Sequence, residues 1–304
     1  MPRRLVDLSI AIEMDVPSDP PGMEPHIQYF RHAETAPQMA AYFPGLTAAD
    51  LPDGEGWATE RVSLSTHNGT HMDAPYHFHS TTDHGRTRAP SIDETPLDQC
   101  LRPGVKLDFR RLPDGYVATA KDVEAELARI GHVLAPYDIV LVNTAAGAAF
   151  GKPEYIHSGC GMGREATLYL TERGVRVVGT DAWSWDAPFS HTAKRWAEHR
   201  DPKIIWEGHK AGREIPYWQM EKLTNLASLP PFGFEIACFP VKIRGASAGW
   251  SRVVAIFEDP LSLPTRRSAG SSPPPRWPRP VPRGRCSPLA VSWKTAGSGR
   301  QDRA

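Results

Sequence analysis

Residues 65–80 read Ser-Thr-His-Asn-Gly-Thr-His-Met-Asp-Ala-Pro-Tyr-His-Phe-His-Ser and hold four potential metal ligands, His67, His71, Asp73 and His77, within eleven residues. Imidazole nitrogens and ionised carboxylates are donors that zinc and similar divalent metals take from proteins. Three protein ligands leave coordination positions for water and substrate, whereas structural zinc sites favour four ligands and cysteine. No cysteine lies in this stretch. It therefore predicts the metal centre of an enzyme.

The same stretch predicts a strand that runs into a loop. Gly69 and Pro75 disfavour a continuous helix. Alternate residues of an extended chain share a face, so we expect His71 and Asp73 to point the same way. Gly69 would let the backbone bend and bring His67 to them. The alternative, a set of solvent-exposed loop histidines, explains a single histidine better than it explains this density.

The stretch resembles the His-x-Gly-Thr-His-x-Asp-x-Pro-x-His signature of the cyclase-like metal-dependent hydrolases, the family that contains bacterial kynurenine formamidase and isatin hydrolase. A second segment, residues 206–226, resembles the family's later His followed twelve residues on by a Glu before an Asn-Leu pair. The likeness extends from Arg4 to Phe257. It implies an α/β fold with a mixed sheet, the swivelling β/β/α single domain of this family.

The resemblance also implies a ligand set. His67, His71 and Asp73 match the ligands of a first metal. Asp73 and Glu221 would bridge to a second metal, which His209 would also bind. The implied cofactor is a divalent metal, Zn²⁺ or Mn²⁺, and the motif leaves open whether one or two ions bind.

Without the resemblance, the interpretation of Glu221 is less specific. Its segment is predicted to be a helix, because Pro216 suits a first helical turn and Leu223 and Leu226 could face the core. An exposed helical glutamate is then the simplest alternative. The spacing from His209 favours a metal ligand instead.

The expected reaction is hydrolysis of the amide bond in a small aromatic or cyclic amide, such as an aryl formamide, isatin or a cyclic imide. A divalent metal lowers the pKa of bound water from 15.7 to about 7, which makes hydroxide the nucleophile at neutral pH. His77 matches the family's general acid/base and could return the proton to the departing nitrogen. Two alternatives stay open: a cyclase or lyase acting on a polyketide-like carbonyl, and a non-catalytic metal-binding protein.

An aromatic cluster, Trp183, Trp185 and Phe189, follows a predicted strand. Ligand sites in α/β sheets lie beyond the carboxyl ends of strands, and aromatic walls suit planar substrates. The cluster is therefore a candidate substrate pocket, although core packing or a subunit interface explains it equally well.

Strands and helices alternate through the middle of the chain, which indicates a mixed α/β domain. We predict strands at residues 105–109, 138–143 and 175–181, a helix at 119–130 capped by Thr119, and a helix at 163–173 ended by Gly174. Residues 234–243 and 250–257 predict two strands that pair antiparallel across a turn at 245–249.

Charge is distributed unevenly along the 304 residues, although the net charge is zero. Residues 260–304 contain nine Lys or Arg, one acidic residue and nine prolines, so residues 1–259 carry a net charge of −8. An acidic domain argues against a nucleic-acid partner. We expect residues 1–259 to form the hydrolase domain and residues 260–304 to be a disordered basic tail.

The sequence also predicts the protein's setting. No apolar stretch approaches the roughly 18 residues that cross a bilayer, and the first residues lack the apolar region of a signal peptide. The four cysteines lie far apart, which predicts reduced thiols and a cytoplasmic protein with no membrane partner. A nucleophilic Cys160 paired with His157 is a weaker alternative to the metal site. The family resemblance implies a homodimer or a larger homo-oligomer.

Overall fold

A computed structural model of the chain describes residues 3–258. The expected tail, residues 260–304, lies outside the described residues. Fifteen strands and six α-helices fall in the described range. The strands are β1 (Arg3–Asp7), β2 (His26–Phe30), β3 (Thr59–Ser63), β4 (His71–Asp73), β5 (Thr81–Thr82), β6 (Thr87–Arg88), β7 (Leu101–Asp108), β8 (Val117–Ala118), β9 (Ile139–Asn143), β10 (Gly161–Met162), β11 (Val177–Thr180), β12 (Trp218–Glu221), β13 (Phe234–Ala237), β14 (Ala248–Trp250) and β15 (Val254–Glu258). The helices are α1 (His32–Ala40), α2 (Pro75–Phe78), α3 (Ala120–Ile130), α4 (Arg164–Glu172), α5 (Phe189–His199) and α6 (Glu207–Ala211).

A nine-stranded mixed sheet organises the described part of the chain, in the order β1-β15-β13-β7-β9-β11-β12-β4-β14. Its centre, β7, β9, β11 and β12, is parallel. The strands on both sides of this centre pair antiparallel. Helices α3 and α4 lie in the crossovers between parallel strands, as such connections require. The predicted mixed α/β fold is confirmed.

Strand β9 shows where the core lies, because all five of its residues are buried. Ile139 and Leu141 pack with residues of β4, β12, β13 and β15, whereas Val140 and Val142 pack with α3 and α4. Both faces of the central sheet are therefore covered, which explains the continuous apolar run of β9. The cluster that contains Ile139 and Leu141 joins strands from both halves of the sheet, so the sheet curls around this cluster.

Several predicted elements are confirmed. Helix α3 begins after Thr119, whose hydroxyl accepts a hydrogen bond from the Asp122 amide at 3.4 Å, and Asp122 reciprocates in a capping box. Helix α4 is followed by Gly174 at φ +89°, a left-handed conformation that glycine adopts without strain.

One predicted element is wrong, and two others have different bounds. Glu221 ends strand β12 and is not in a helix, because residues 218–221 alternate in period two: Trp218 and Met220 join the core, and Gln219 and Glu221 face the opposite way. The predicted strand at 234–243 ends at Ala237, and the run at 250–257 is divided between β14 and β15. The predicted antiparallel pairing of these two runs is confirmed, because β13 pairs antiparallel with β15. Pro240 has no N–H for a ladder and makes only an isolated bridge.

Among residues 3–258, no helix is long and apolar enough to cross a membrane. Cys100, Cys160 and Cys238 are buried free thiols. Burial raises the pKa of Cys160 to about 12, and the His157 ring contacts Ser190 Oγ at 3.1 Å. Cys160 therefore lacks the lowered pKa of an activated nucleophile.

Candidate metal centre

The pairing of β4 with β12 brings four polar side chains onto one face of the sheet. In the antiparallel register, Glu221 lies opposite His71, and Gln219 lies opposite Asp73. Directly opposed residues share a face, and so do alternate residues of one strand. The intervening Met72 and Met220 point into the core on the other face. The sheet thus holds two carboxylates, an imidazole and an amide together.

The turn before β4 brings His67 to this group, as predicted. Gly69 has φ +64°, and a Cβ there would lie 2.7 Å from Ile12 Cγ1, so both conformation and space require glycine. His67 Nδ1 then lies 2.9 Å from Asp73 Oδ1. The short helix α2, which begins at Pro75, places the His77 ring 4.2 Å from that of His67.

Helix α6 supplies His209 from the opposite side. Asp186 accepts hydrogen bonds from the backbone amides of Gly208 and His209 at 2.8 and 3.0 Å, and its Oδ2 lies 2.5 Å from His209 Nδ1. This carboxylate fixes the ring so that Nε2 faces the site, 3.5 Å from Glu221 Oε1 and 4.0 Å from Asp73 Oδ2.

The donor atoms fall into two groups that share Asp73. His71, Asp73 and Glu221 form one group, and His67, Asp73 and His77 form the other; within each, the potential ligand atoms lie within 4.8 Å of one another. His71 Nε2 lies 3.3 Å from Asp73 Oδ1 and 3.7 Å from Glu221 Oε2. All the predicted metal-site residues are therefore brought together, and His77 also stands within reach of a metal.

Two buried potential ligand atoms, His71 Nε2 and Asp73 Oδ1, make no well-aligned hydrogen bond among the described residues, although His67 Nδ1 lies 2.9 Å from Asp73 Oδ1. His71 Nδ1 lies 2.9 Å from the Gly69 carbonyl, which accepts its proton and leaves the lone pair on Nε2. A buried lone pair beside a buried carboxylate oxygen is costly unless a cation joins them. The residues therefore fit a divalent metal of the kind that imidazole and carboxylate bind.

Charge and burial act on the pKa values of these groups in different directions. Burial raises the pKa of Asp73, but the imidazoles of His71 and His77 outweigh it and hold that pKa well below its usual range. Burial lowers the pKa of His71, and the Asp73 and Glu221 carboxylates more than offset this effect. At His77, burial dominates and lowers the pKa to about 4. Asp73 is thus an anion and His77 is neutral at neutral pH.

A cavity of about 200 Å³ opens beside the donor atoms. His67, His77, His209 and Glu221 line it, while His71 and Asp73 are fully buried behind them. Its aromatic walls are Trp183, Phe189 and Trp206.

Three of the aromatic residues near the site line the cavity, and Trp185 lies in the core. Trp183 and Phe189 meet edge to face at 5.5 Å, and Trp206 stacks on His209 at 4.3 Å. Trp185, predicted for the pocket, lies in the core, where its Nε1 donates to Thr167 Oγ1 at 3.0 Å. Only its backbone reaches the site, since its amide donates to Glu221 Oε1 at 3.0 Å.

Sequence reasoning missed four residues around the site: Gln219, Asp186, Asp19 and Lys222. A strand assignment for β12 would have found Gln219, which is two residues before Glu221 and so on the same face. Asp186 reaches His209 from 23 residues away, and Asp19 meets Lys222 across 203 residues. No local pattern signals either contact.

Comparison with known proteins identifies relatives of this chain. The family model Cyclase, described as "Putative cyclase", matches residues 6–187. Kynurenine formamidase of Salinibacter ruber is 29% identical over 64% of this chain and 77% of its own length. The kynurenine formamidase of Erythrobacter litoralis is 26% identical over 67% of this chain and 79% of its own.

A solved structure, isatin hydrolase A from Ralstonia solanacearum, has the same fold. Its TM-score is 0.64 at 24% identity, and the match covers 84% of this chain and 92% of that one.

Proposed function

The chain belongs to the cyclase family of metal-dependent hydrolases, and from this premise we propose that it hydrolyses the amide bond of a small aromatic or cyclic amide. The relatives support this substrate class. Two are kynurenine formamidases, and the structural neighbour acts on isatin, whose ring contains a cyclic amide. An aryl formamide, an isatin or a cyclic imide is therefore the expected substrate.

The observation that carries the proposal is the cluster of imidazole and carboxylate ligand atoms behind an aromatic-walled cavity, in which His71 Nε2 and Asp73 Oδ1 make no well-aligned hydrogen bond among the described residues. We propose that His67, His71, Asp73 and Glu221 supply the metal ligands. When bound there, a divalent metal activates water and polarises the substrate carbonyl as a Lewis acid. The aromatic rings across the cavity suit a planar substrate placed against that metal.

We propose that His77 moves the protons. Its ring lines the cavity and is held neutral at neutral pH, so it can accept a proton from the attacking water. The same imidazole then delivers that proton to the departing nitrogen, which is a poor leaving group while unprotonated. Trp206 contacts the His77 ring edge to face, with 5.0 Å between the ring centroids.

The proposal is tested by a substrate screen on the purified protein loaded with Zn²⁺ or Mn²⁺. We expect metal-dependent loss of the carbonyl chromophore with aryl formamides, isatins or cyclic imides. Mass spectrometry should show a ring-opened product that has gained one water from an isatin or a cyclic imide, and an arylamine and formate from an aryl formamide. A product that has lost water would support the cyclase or lyase alternative. Metal binding without turnover of any of these compounds would support the non-catalytic alternative.

The remaining expectations about the protein's setting are also proposals. We propose Zn²⁺ or Mn²⁺ as the metal, a cytoplasmic location and a homodimer or larger homo-oligomer. The buried free thiols of the described part are compatible with a reducing compartment.

A further inference from the structure

Gln219 lies at the centre of the candidate ligand set. It is fully buried in β12, opposite Asp73. Its side-chain Nε2 lies 2.7 Å from Glu221 Oε1, 2.9 Å from His209 Nε2 and 3.4 Å from Asp73 Oδ2. A second metal ion that is bound by His209 and bridged by Asp73 and Glu221 would need these same three atoms as its ligands.

Two carboxylates fix the orientation of this amide. Ionised carboxylate oxygens only accept hydrogen bonds, so the amide presents its NH₂ group to Asp73 and Glu221. The reverse orientation would bring an amide oxygen within 2.7 Å of a Glu221 oxygen. On its other side, Gln219 Oε1 lies 3.1 Å from the buried Tyr217 hydroxyl, which also lies 2.9 Å from the Gly208 carbonyl.

The two oxygens of each carboxylate consequently face different groups. Asp73 Oδ1 and Glu221 Oε2 face His71, and Asp73 Oδ1 lies 2.9 Å from His67 Nδ1 and 3.3 Å from His71 Nε2. Asp73 Oδ2 and Glu221 Oε1 face the Gln219 NH₂ group, and Glu221 Oε1 also accepts the Trp185 amide. One half of the centre is open to a cation, and the other half is filled by N–H donors.

We propose that Gln219 occupies the second metal position, so that this chain binds one divalent ion, on the side of Asp73 that faces His67 and His71. An ion within 2.0–2.2 Å of Asp73 Oδ2, Glu221 Oε1 and His209 Nε2 would meet the amide nitrogen that contacts all three. His209 then forms part of the cavity wall and does not coordinate the metal. This inference rests on the metal site of the proposed function and assigns its stoichiometry.

The test is metal content after loading with excess Mn²⁺ or Zn²⁺ and removal of free ions. We expect about one ion per wild-type chain. Gln219→Ala removes the amide and should raise the content to about two, whereas Gln219→Leu fills the same space without donors and should stay at one. Gln28→Ala, on exposed β2, is the matched control and should stay at one. With Mn²⁺, the spin-resonance spectrum should change from that of isolated ions to that of a coupled pair in Gln219→Ala only.

Three outcomes would overturn the inference. Two ions in the wild-type chain would do so without any variant. Loss of the single ion in Gln219→Ala would identify Gln219 as a ligand. An unchanged metal content in that variant would show that Gln219 does not exclude a second ion. Amide hydrolysis by a two-ion protein would refute this inference alone, and a one-ion protein without hydrolysis would refute the proposed function alone.

Discussion

His77 is the residue whose role separates metal binding from proton transfer. Its ring lies against His67 and lines the cavity, and burial lowers its pKa to about 4. His77→Ala should keep the metal content of the wild type and lower kcat by about two to four orders of magnitude. Metal analysis and steady-state kinetics on the same preparation measure both quantities.

The pH dependence gives His77 a second test. Protonation of a general base abolishes its function, so wild-type activity should fall as the pH drops through the pKa of His77. His77→Ala should lack this acidic limb. Loss of metal in that variant would show that His77 is a ligand, and full activity would assign proton transfer to another group, with Glu221 as the next candidate.

At the scale of elements, the short strand β4 and the turn before it could be predicted from the sequence. The turn at Gly69 and the shared face of His71 and Asp73 depend only on local backbone geometry, which the sequence indicates directly. Strand β12 could not be predicted in this way, since Pro216 precedes a helix as readily as a strand. Its register with β4 depends on tertiary pairing, and that register creates the contact between Gln219 and Asp73.

A second element, the segment of residues 18–23, is held beside the site by a buried ion pair. Lys222 Nζ donates to Asp19 Oδ1 and, at 2.9 Å, to the His67 carbonyl. Asn68 Nδ2 donates to Asp19 Oδ2 at 3.0 Å and to the Met23 carbonyl at 2.7 Å. Asp19, Met23 and Lys222 all line the cavity. The pair therefore connects a cavity wall to the loop that carries His67.

Asp19→Asn should destabilise the fold by about 3–5 kcal/mol, because it leaves the buried Lys222 ammonium without its counter-ion. Urea unfolding measures this loss, and the displaced wall should raise KM more than it lowers kcat. The double variant Asp19→Asn/Lys222→Met should lose less stability than the sum of the single changes. Asp7→Asn, which breaks an exposed pair with Arg252, is the control and should change the unfolding midpoint little. Additive losses in the double variant would contradict the coupling.

At the scale of the whole molecule, all the candidate site residues lie within residues 19–222 of the chain. We therefore propose that residues 1–259 suffice for folding and catalysis. Deleting residues 260–304 should leave the urea midpoint and kcat unchanged, as measured beside the full chain. A large loss of folded protein or of turnover on deletion would show that the tail contributes to the domain.

The central claim is that the donor atoms behind the cavity form a catalytic metal centre. Its most direct test starts from protein stripped with a chelator, which is titrated with Mn²⁺ or Zn²⁺ while bound metal and amide turnover are measured on the same samples. Turnover should rise in proportion to bound metal and stop rising when the centre is filled.

Two variants make this titration specific to the site. His71→Ala removes a ligand and should gain neither metal nor activity, whereas His199→Ala, an exposed histidine of α5, should follow the wild type. Turnover that persists in the stripped protein, or a His71→Ala variant that regains it with metal, would contradict the account.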